Sequence, residues 1–290
     1  MENILDLDLS IARKKRLLAG TQPIATFLME RAAEELGERL TTVERRFADC
    51  AAIHCLTPHA ALAMRDSGRA GDVMRIEPDP VFLEGGAGFV SDGEHLPLEP
   101  ESLDLAVSLL ALHEINDLPG ALIQIRRALR PDGLFLAAFA GAGTLEELRH
   151  CLLVAETEIT GGASPRVLPF ADVRAAGALL QRAGFALPVA DIETITVRYS
   201  DMFALLRDLR QMGATNTLFG RLKRPTRRQV FLRAADLYAE RFTDPDGRLR
   251  ATFSLIWLSG WAPDASQQKP ARPGSATMPL AQALKEQDKR

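Results

Sequence analysis

Five short apolar stretches set the rhythm of the first half of the chain: FADCAA (47–52), VMRIEP (73–78), AGFV (87–90), LDLAVSLL (103–110) and LFLAAFA (134–140). They are nearly continuous rather than alternating, the pattern of parallel strands covered on both faces. Before them, residues 12–40 mix polar and apolar positions at helical spacing and predict a helical segment. The clearest connection is NDLPGALIQIRRALRPDG (116–133), where Leu118, Leu122, Ile125 and Leu129 form one apolar stripe. Asn116 or Asp117 can cap this helix, Pro119 suits its first turn, and Pro131, Asp132 and Gly133 turn the chain into the next strand.

After Gly143 the pattern becomes helical, with segments predicted at about 143–157, 170–183, 201–213 and 226–241. Two strand patterns remain, 190–200 and 251–262, and the helices between them read as an insertion over one sheet edge. The expected architecture is an α/β, doubly wound, seven-stranded and mostly parallel sheet, Rossmann-like. Residues 1–42 form an N-terminal helical segment, 43–262 the main domain with its insertion at about 201–241, and 263–290 a polar tail.

Composition narrows the class without naming a function. Against 35 Lys and Arg stand 38 Asp and Glu, a net charge of -3, so wholesale binding to nucleic acid is not expected and membrane contact is at most peripheral. The three cysteines, Cys50, Cys55 and Cys151, are too few and too scattered for a disulfide framework or a zinc site. With no apolar leader in MENILDLDLS, a cytoplasmic location is expected.

In a doubly wound sheet, ligands lie across the carboxyl ends of the strands. At the first end stand Cys50, Ala51 and Ala52, in a stretch with no glycine between Gly37 and Gly68. At the second stands Glu77, a carboxylate suited to two ribose hydroxyls, or a plain loop residue. Ser91, Asp92 and Gly93 follow the third, where Asp92 suits an adenine amino group or a simple turn. Leu110, His113 and Glu114 stand at the fourth; His113 reads as a structural histidine or a general base. Cys50 and Cys55 read as buried small side chains. Basic runs at 13–16 (RKKR) and 221–233 (RLKRPTRRQVFLR) are solvated faces by default, and the second is also a candidate dock for an acidic protein surface.

The segments LALHEINDLPGALIQIRRALRPDGLFLAAFAGAGTLEELRH, DLRQMGATN and RPGSA, in that order, resemble the methyltransferase-like assembly factors of respiratory complex I. More distantly the chain is similar to the malonyl-carrier-protein methyltransferases of biotin synthesis. The resemblance implies a class I methyltransferase fold, S-adenosylmethionine as cofactor and a protein client belonging to complex I. It also implies a split in chemistry, because the mitochondrial member hydroxylates an arginine; His113, Glu114 and Asp117 are the nearest approach to a metal set for that reaction. By the same resemblance Asp49, Ala51, Glu77, Asp92 and Leu110 are cofactor-binding positions, with His113 and Glu114 as catalytic candidates.

Two departures stand out. Where relatives have acidic–x–Gly–x–Gly, this chain has Asp49, Cys50, Ala51, Ala52 and Ile53, and Glu114 stands where a tryptophan is usual. The expectation is a methyltransferase acting on a protein client; the alternatives are a non-enzymatic assembly factor with a degenerate cofactor site, or a hydroxylase.

Overall fold

The computed structural model describes residues 3–21, 23–92 and 94–268. Seven strands make one sheet: β1 Phe47–Ile53, β2 Ala70–Glu77, β3 Gly88–Val90, β4 Leu103–Leu109, β5 Leu129–Ala140, β6 Ala186–Tyr199 and β7 Leu249–Trp261. Their order is β3-β2-β1-β4-β5-β7-β6, and only β7 runs antiparallel to its neighbours β5 and β6. The fold expected from the apolar runs is therefore present.

The helices are α1 Leu7–Leu18, α2 Phe27–Thr41, α3 His59–Asp66, α4 Leu118–Ala128, α5 Glu146–Thr160, α6 Val173–Arg182, α7 Met202–Gln211 and α8 Arg228–Phe242. Three apolar clusters hold them in place. Leu36, Leu40 and Met64 bring α2 and α3 onto one sheet face, over Cys50, Ala52 and Trp257. Leu122, Ile125, Ala176 and Leu180 bring α4 and α6 onto the other, over Ala51, Phe135 and Ile256. The third lies beyond the strand ends, where Leu148, Leu205, Leu237 and Tyr238 of α5, α7 and α8 pack on Tyr199, Leu249 and Phe253. The helices between β6 and β7 thus roof the carboxyl edge of the sheet, as the insertion pattern implied.

The continuous helix expected over 12–40 is two helices. Pro23 lies in the break, and a proline has no amide to continue a helical ladder. The break lets α1 leave the sheet face and lie across the carboxyl edge. There the amides of Ile4 and Leu5 donate to Asn116 Oδ1 at 3.0 and 2.9 Å. On the roof side the Asp6 amide donates to the Thr217 carbonyl at 2.9 Å, and Arg221 pairs with Asp6 at 3.0 Å. Most of the polar tail, including Gly274 and Ser275 of the RPGSA motif, falls outside the described residues.

A closed crevice and an apolar cavity at the strand tips

The turn after β1 takes the route of a glycine loop without a glycine. His54 and Leu56 have φ of 54° and 60°, the left-handed region that side chains with a Cβ rarely enter. The acidic–x–Gly–x–Gly frame thus falls three residues later than the sequence resemblance placed it, with Ala52 at the acidic position. Asp49 lies in the amino-terminal half of β1 and pairs with Arg130 at 2.7 Å, away from the strand tips. Ala51 is fully buried in the sheet core against Met74 and Ala106. Neither residue reaches the crevice, because both belong to the body of the strand.

The left-handed turn sends the His54 imidazole across the tips. Its Nε2 lies 2.8 Å from Ser91 Oγ, and burial pushes the ring pKa down to about 4, so it is neutral. The Leu56 amide donates to Glu77 Oε2 at 2.9 Å, while Arg75 holds Oε1 at 3.0 Å and also donates to the Phe82 carbonyl at 2.7 Å. Glu77 has no exposed surface. Burial pushes its carboxyl up to about 7, although the Leu56 amide and Arg75 pull the other way.

Asp92 is more open, but its oxygens are also engaged. Oδ1 accepts from the amides of Glu94 and His95 at 3.0 and 2.7 Å, and Oδ2 lies 2.8 Å from His95 Nδ1. Its neighbour Gly93 is outside the described residues. The space beside Asp92 is about 60 Å³ and is walled on one side by Ser10 and Lys14 of α1.

Glu114 fastens this wall. Its Oε2 accepts from Ser10 Oγ at 2.8 Å and pairs with Lys14 Nζ. Burial pushes the Glu114 carboxyl up, but Lys14 and the Ser10 hydroxyl more than reverse this and hold it below the usual range. The position where a tryptophan was expected thus carries the anchor of α1. The RKKR run is correspondingly only half a solvated face, with Arg13 and Lys14 turned to the protein and Lys15 and Arg16 exposed. Arg13 donates to the Asn216 carbonyl at 2.7 Å and Lys15 pairs with Asp79 at 2.6 Å. This fastening escaped the sequence because its partners lie 64 residues or more away; the one local hint was an acid where an aromatic ring was expected.

Beside the crevice is a cavity of about 390 Å³. Leu110, itself left-handed at φ 55°, and His113 line it from the β4 end, with Met29, Leu148, Leu209 and Phe231 on the helical walls. His113 Nδ1 is buried without a hydrogen-bond partner, its ring lies 5.9 Å from that of Phe170, and burial pushes its pKa down to about 4. Asp117 caps α4 through the Gly120 amide at 2.9 Å. Among the described residues no group of three His, Cys, Asp or Glu side chains could hold a metal ion.

An adenosine lying across Glu77 and Asp92 would need both carboxylates free and room between them. Glu77 is spent on Leu56 and Arg75, and about 60 Å³ is well below the roughly 300 Å³ at which small-molecule pockets begin. Glu77 and the small space beside Asp92 therefore do not offer S-adenosylmethionine a ribose and adenine seat in this arrangement.

Comparison with known proteins places this geometry. A family profile described as "Methyltransferase domain" matches residues 53–137. A proposed methyltransferase of Bacillus halodurans superposes with a TM-score of 0.55 at 13% identity, covering 80% of this chain and 99% of that one, a likeness of fold alone. The mitochondrial arginine-hydroxylase NDUFAF5 of zebrafish is 42% identical over 196 residues, 68% of this chain and 61% of that protein. Its mouse counterpart is 36% identical over 296 residues, 99% of this chain and 85% of that protein.

These relatives overturn the cytoplasmic expectation, since they are named as mitochondrial proteins. Thiol usage separates reducing from oxidising surroundings and cannot tell one reducing compartment from another. Among the described residues no helix is long and apolar enough to cross a membrane. With a methyltransferase-type sheet, a rebuilt cofactor turn and a mouse relative aligned over nearly its whole length, the chain belongs to the family of the arginine-hydroxylase NDUFAF5.

Proposed function

We propose that this chain is a methyltransferase-like assembly factor for respiratory complex I, acting on a protein client without S-adenosylmethionine as its working cofactor. The observation that carries this reading is the state of Glu77, which has no exposed surface and both oxygens engaged by the protein itself. Around it the glycine positions hold His54 and Leu56, and α1 is anchored over the space an adenosine would need. What remains is a rigid sheet, a roofed carboxyl edge and an exposed basic stretch at Lys223, Arg224, Arg227 and Arg228 for a client to meet.

Isothermal titration of the full chain with S-adenosylmethionine up to millimolar concentration tests the cofactor half of the proposal. No saturable heat is expected. Binding with a dissociation constant below about 100 μM, or about 5.5 kcal/mol, would sink it.

Methyl transfer is the second reading, favoured by the match to the methyltransferase profile and by Glu77 and Asp92 standing at the ends of β2 and β3. It requires α1 to lift and Glu77 to turn outward. Hydroxylation, the activity in the relatives' name, would need an oxidant and a site to hold it. His113, Glu114 and Asp117 do not offer one, since Glu114 is held by Lys14 and Asp117 is a helix cap.

A further inference from the structure

The cavity beside the crevice has a chemistry that neither the family nor the closed crevice explains. Its walls are apolar: Met29 from α2, Leu148 and Leu152 from α5, Leu209 from α7 and Phe231 from α8. Four formally charged side chains line it, Lys14, Glu114, Arg166 and Arg210. Three are committed. Lys14 and Glu114 pair with each other, and Arg166 is held by Glu156 at 2.6 Å and Thr226 Oγ1 at 2.6 Å.

The Arg210 guanidinium makes no hydrogen bond or ion pair among the described residues. It belongs to the last turn of α7, is exposed, and also lines the cavity, which puts it at the mouth. No uncommitted carboxylate lines the cavity. Deeper in, the neutral His113 ring offers its unpartnered Nδ1.

A cation such as a free guanidinium would find no counter-charge here, and a small polar ligand would leave the walls unsatisfied. A volume of about 390 Å³ lies within the roughly 300–1,000 Å³ of small-molecule sites, whose walls are mostly apolar with a few placed polar groups. We infer that the cavity binds a single-chain amphiphile with an anionic head, of the fatty-carboxylate class, with its chain among Met29, Leu148, Leu209 and Phe231 and its head at Arg210. The cavity shares Leu56, Leu110 and Glu114 with the cofactor turn and the β4 end, so this inference rests on the reading that S-adenosylmethionine is not the working cofactor.

The test is isothermal titration of the full chain with sodium laurate, below its micelle concentration, beside dodecyltrimethylammonium as a cation of equal chain length. One-to-one binding is expected, with laurate at least about tenfold tighter than the cation. Shortening the chain to decanoate should weaken binding roughly fifteenfold, about fourfold per methylene removed from an apolar site. Arg210→Glu, at an exposed position with no protein partner to lose, should fold normally and lower laurate affinity at least about tenfold.

Equal affinity for anion and cation, unchanged affinity in Arg210→Glu, no chain-length dependence, or no saturable binding of laurate would each overturn the inference. Repeating the laurate titration with millimolar S-adenosylhomocysteine tells failure of this inference from failure of the proposed function. Undiminished laurate affinity is expected, whereas full displacement would assign the space to a nucleoside ligand and overturn both.

Discussion

Glu77 is the residue on which burial and charge conflict most. Its carboxyl is raised from an ordinary value of 4.5 to about 7, because burial outweighs Arg75 and the Leu56 amide. An acid whose folded pKa lies above its unfolded one binds more protons when folded, so stability falls as pH rises between the two values. The cost is absent below about pH 4.5 and complete above about pH 7, and reaches at most about 3 kcal/mol. Thermal unfolding should therefore show Glu77 lowering the chain's stability, relative to a form that cannot titrate there, as pH rises from 5 to 7.5. Glu77→Gln, which cannot titrate, should gain stability over the parent progressively across that range; a constant difference between the two forms would remove Glu77 as the source. His54 and His113 act in the opposite sense, with pKa values near 4 when folded against 6.5 when unfolded. They raise stability as pH rises from about 4 to 6.5, so the Glu77 effect is read against a variant and not from the parent alone.

The turn between β1 and α3 is the element that departs furthest from its family pattern. Left-handed backbone costs a residue with a Cβ about 1–2 kcal/mol, and here His54 and Leu56 both adopt it. Their neighbours hold them there, through the His54 ring on Ser91 and the Leu56 amide on Glu77. The double substitution His54→Gly and Leu56→Gly keeps this backbone path, relieves the crowding and opens the crevice. The variant is expected to gain at least about tenfold in S-adenosylmethionine affinity over the parent, read by the same titration. If it gains none, the side chains in the turn are not what closes the site.

Much of this architecture was legible in the sequence. The apolar runs located all seven strands, and the Leu118–Leu129 stripe located α4, because burial on both faces leaves a strong hydrophobic signature. The break between α1 and α2 was marked only by Pro23 within an otherwise helical pattern. The turn was placed three residues early because its left-handed positions carry His54 and Leu56 rather than glycine, and no local pattern announces that choice. Glu77, Asp92 and Leu110 do stand at the strand tips. Which partners their polar atoms take depends on contacts distant in sequence, such as Leu56 with Glu77 and Lys14 with Glu114, and those became visible only in three dimensions.

At the scale of the molecule, α1 ties the two halves of the carboxyl edge together. One side of it is held at Asp79, Glu114 and Asn116, the other at Thr215, Asn216, Thr217 and Arg221. This uses Arg13, Lys14 and Lys15 of the first basic run and Arg221 of the second, and leaves Lys223, Arg224, Arg227 and Arg228 exposed. Arg227→Glu with Arg228→Glu should weaken capture of an acidic client several-fold and flatten its salt dependence. The fold should tolerate the change, since an acid at the cap and first position of α8 suits a helix amino terminus. Co-purification of complex I subunits at two salt concentrations is the measurement, and equal capture by both forms would rule this stretch out as the dock.

Because a single Glu114 oxygen receives both Ser10 and Lys14, these two tethers share one fate. Any event that neutralises or diverts that carboxylate frees both at once, while the tethers at Asp79, Asn116 and Asn216 stay in place. A client presenting its own cation there would exchange with Lys14. Admission to the edge of the sheet would then be coupled to recognition of the visitor.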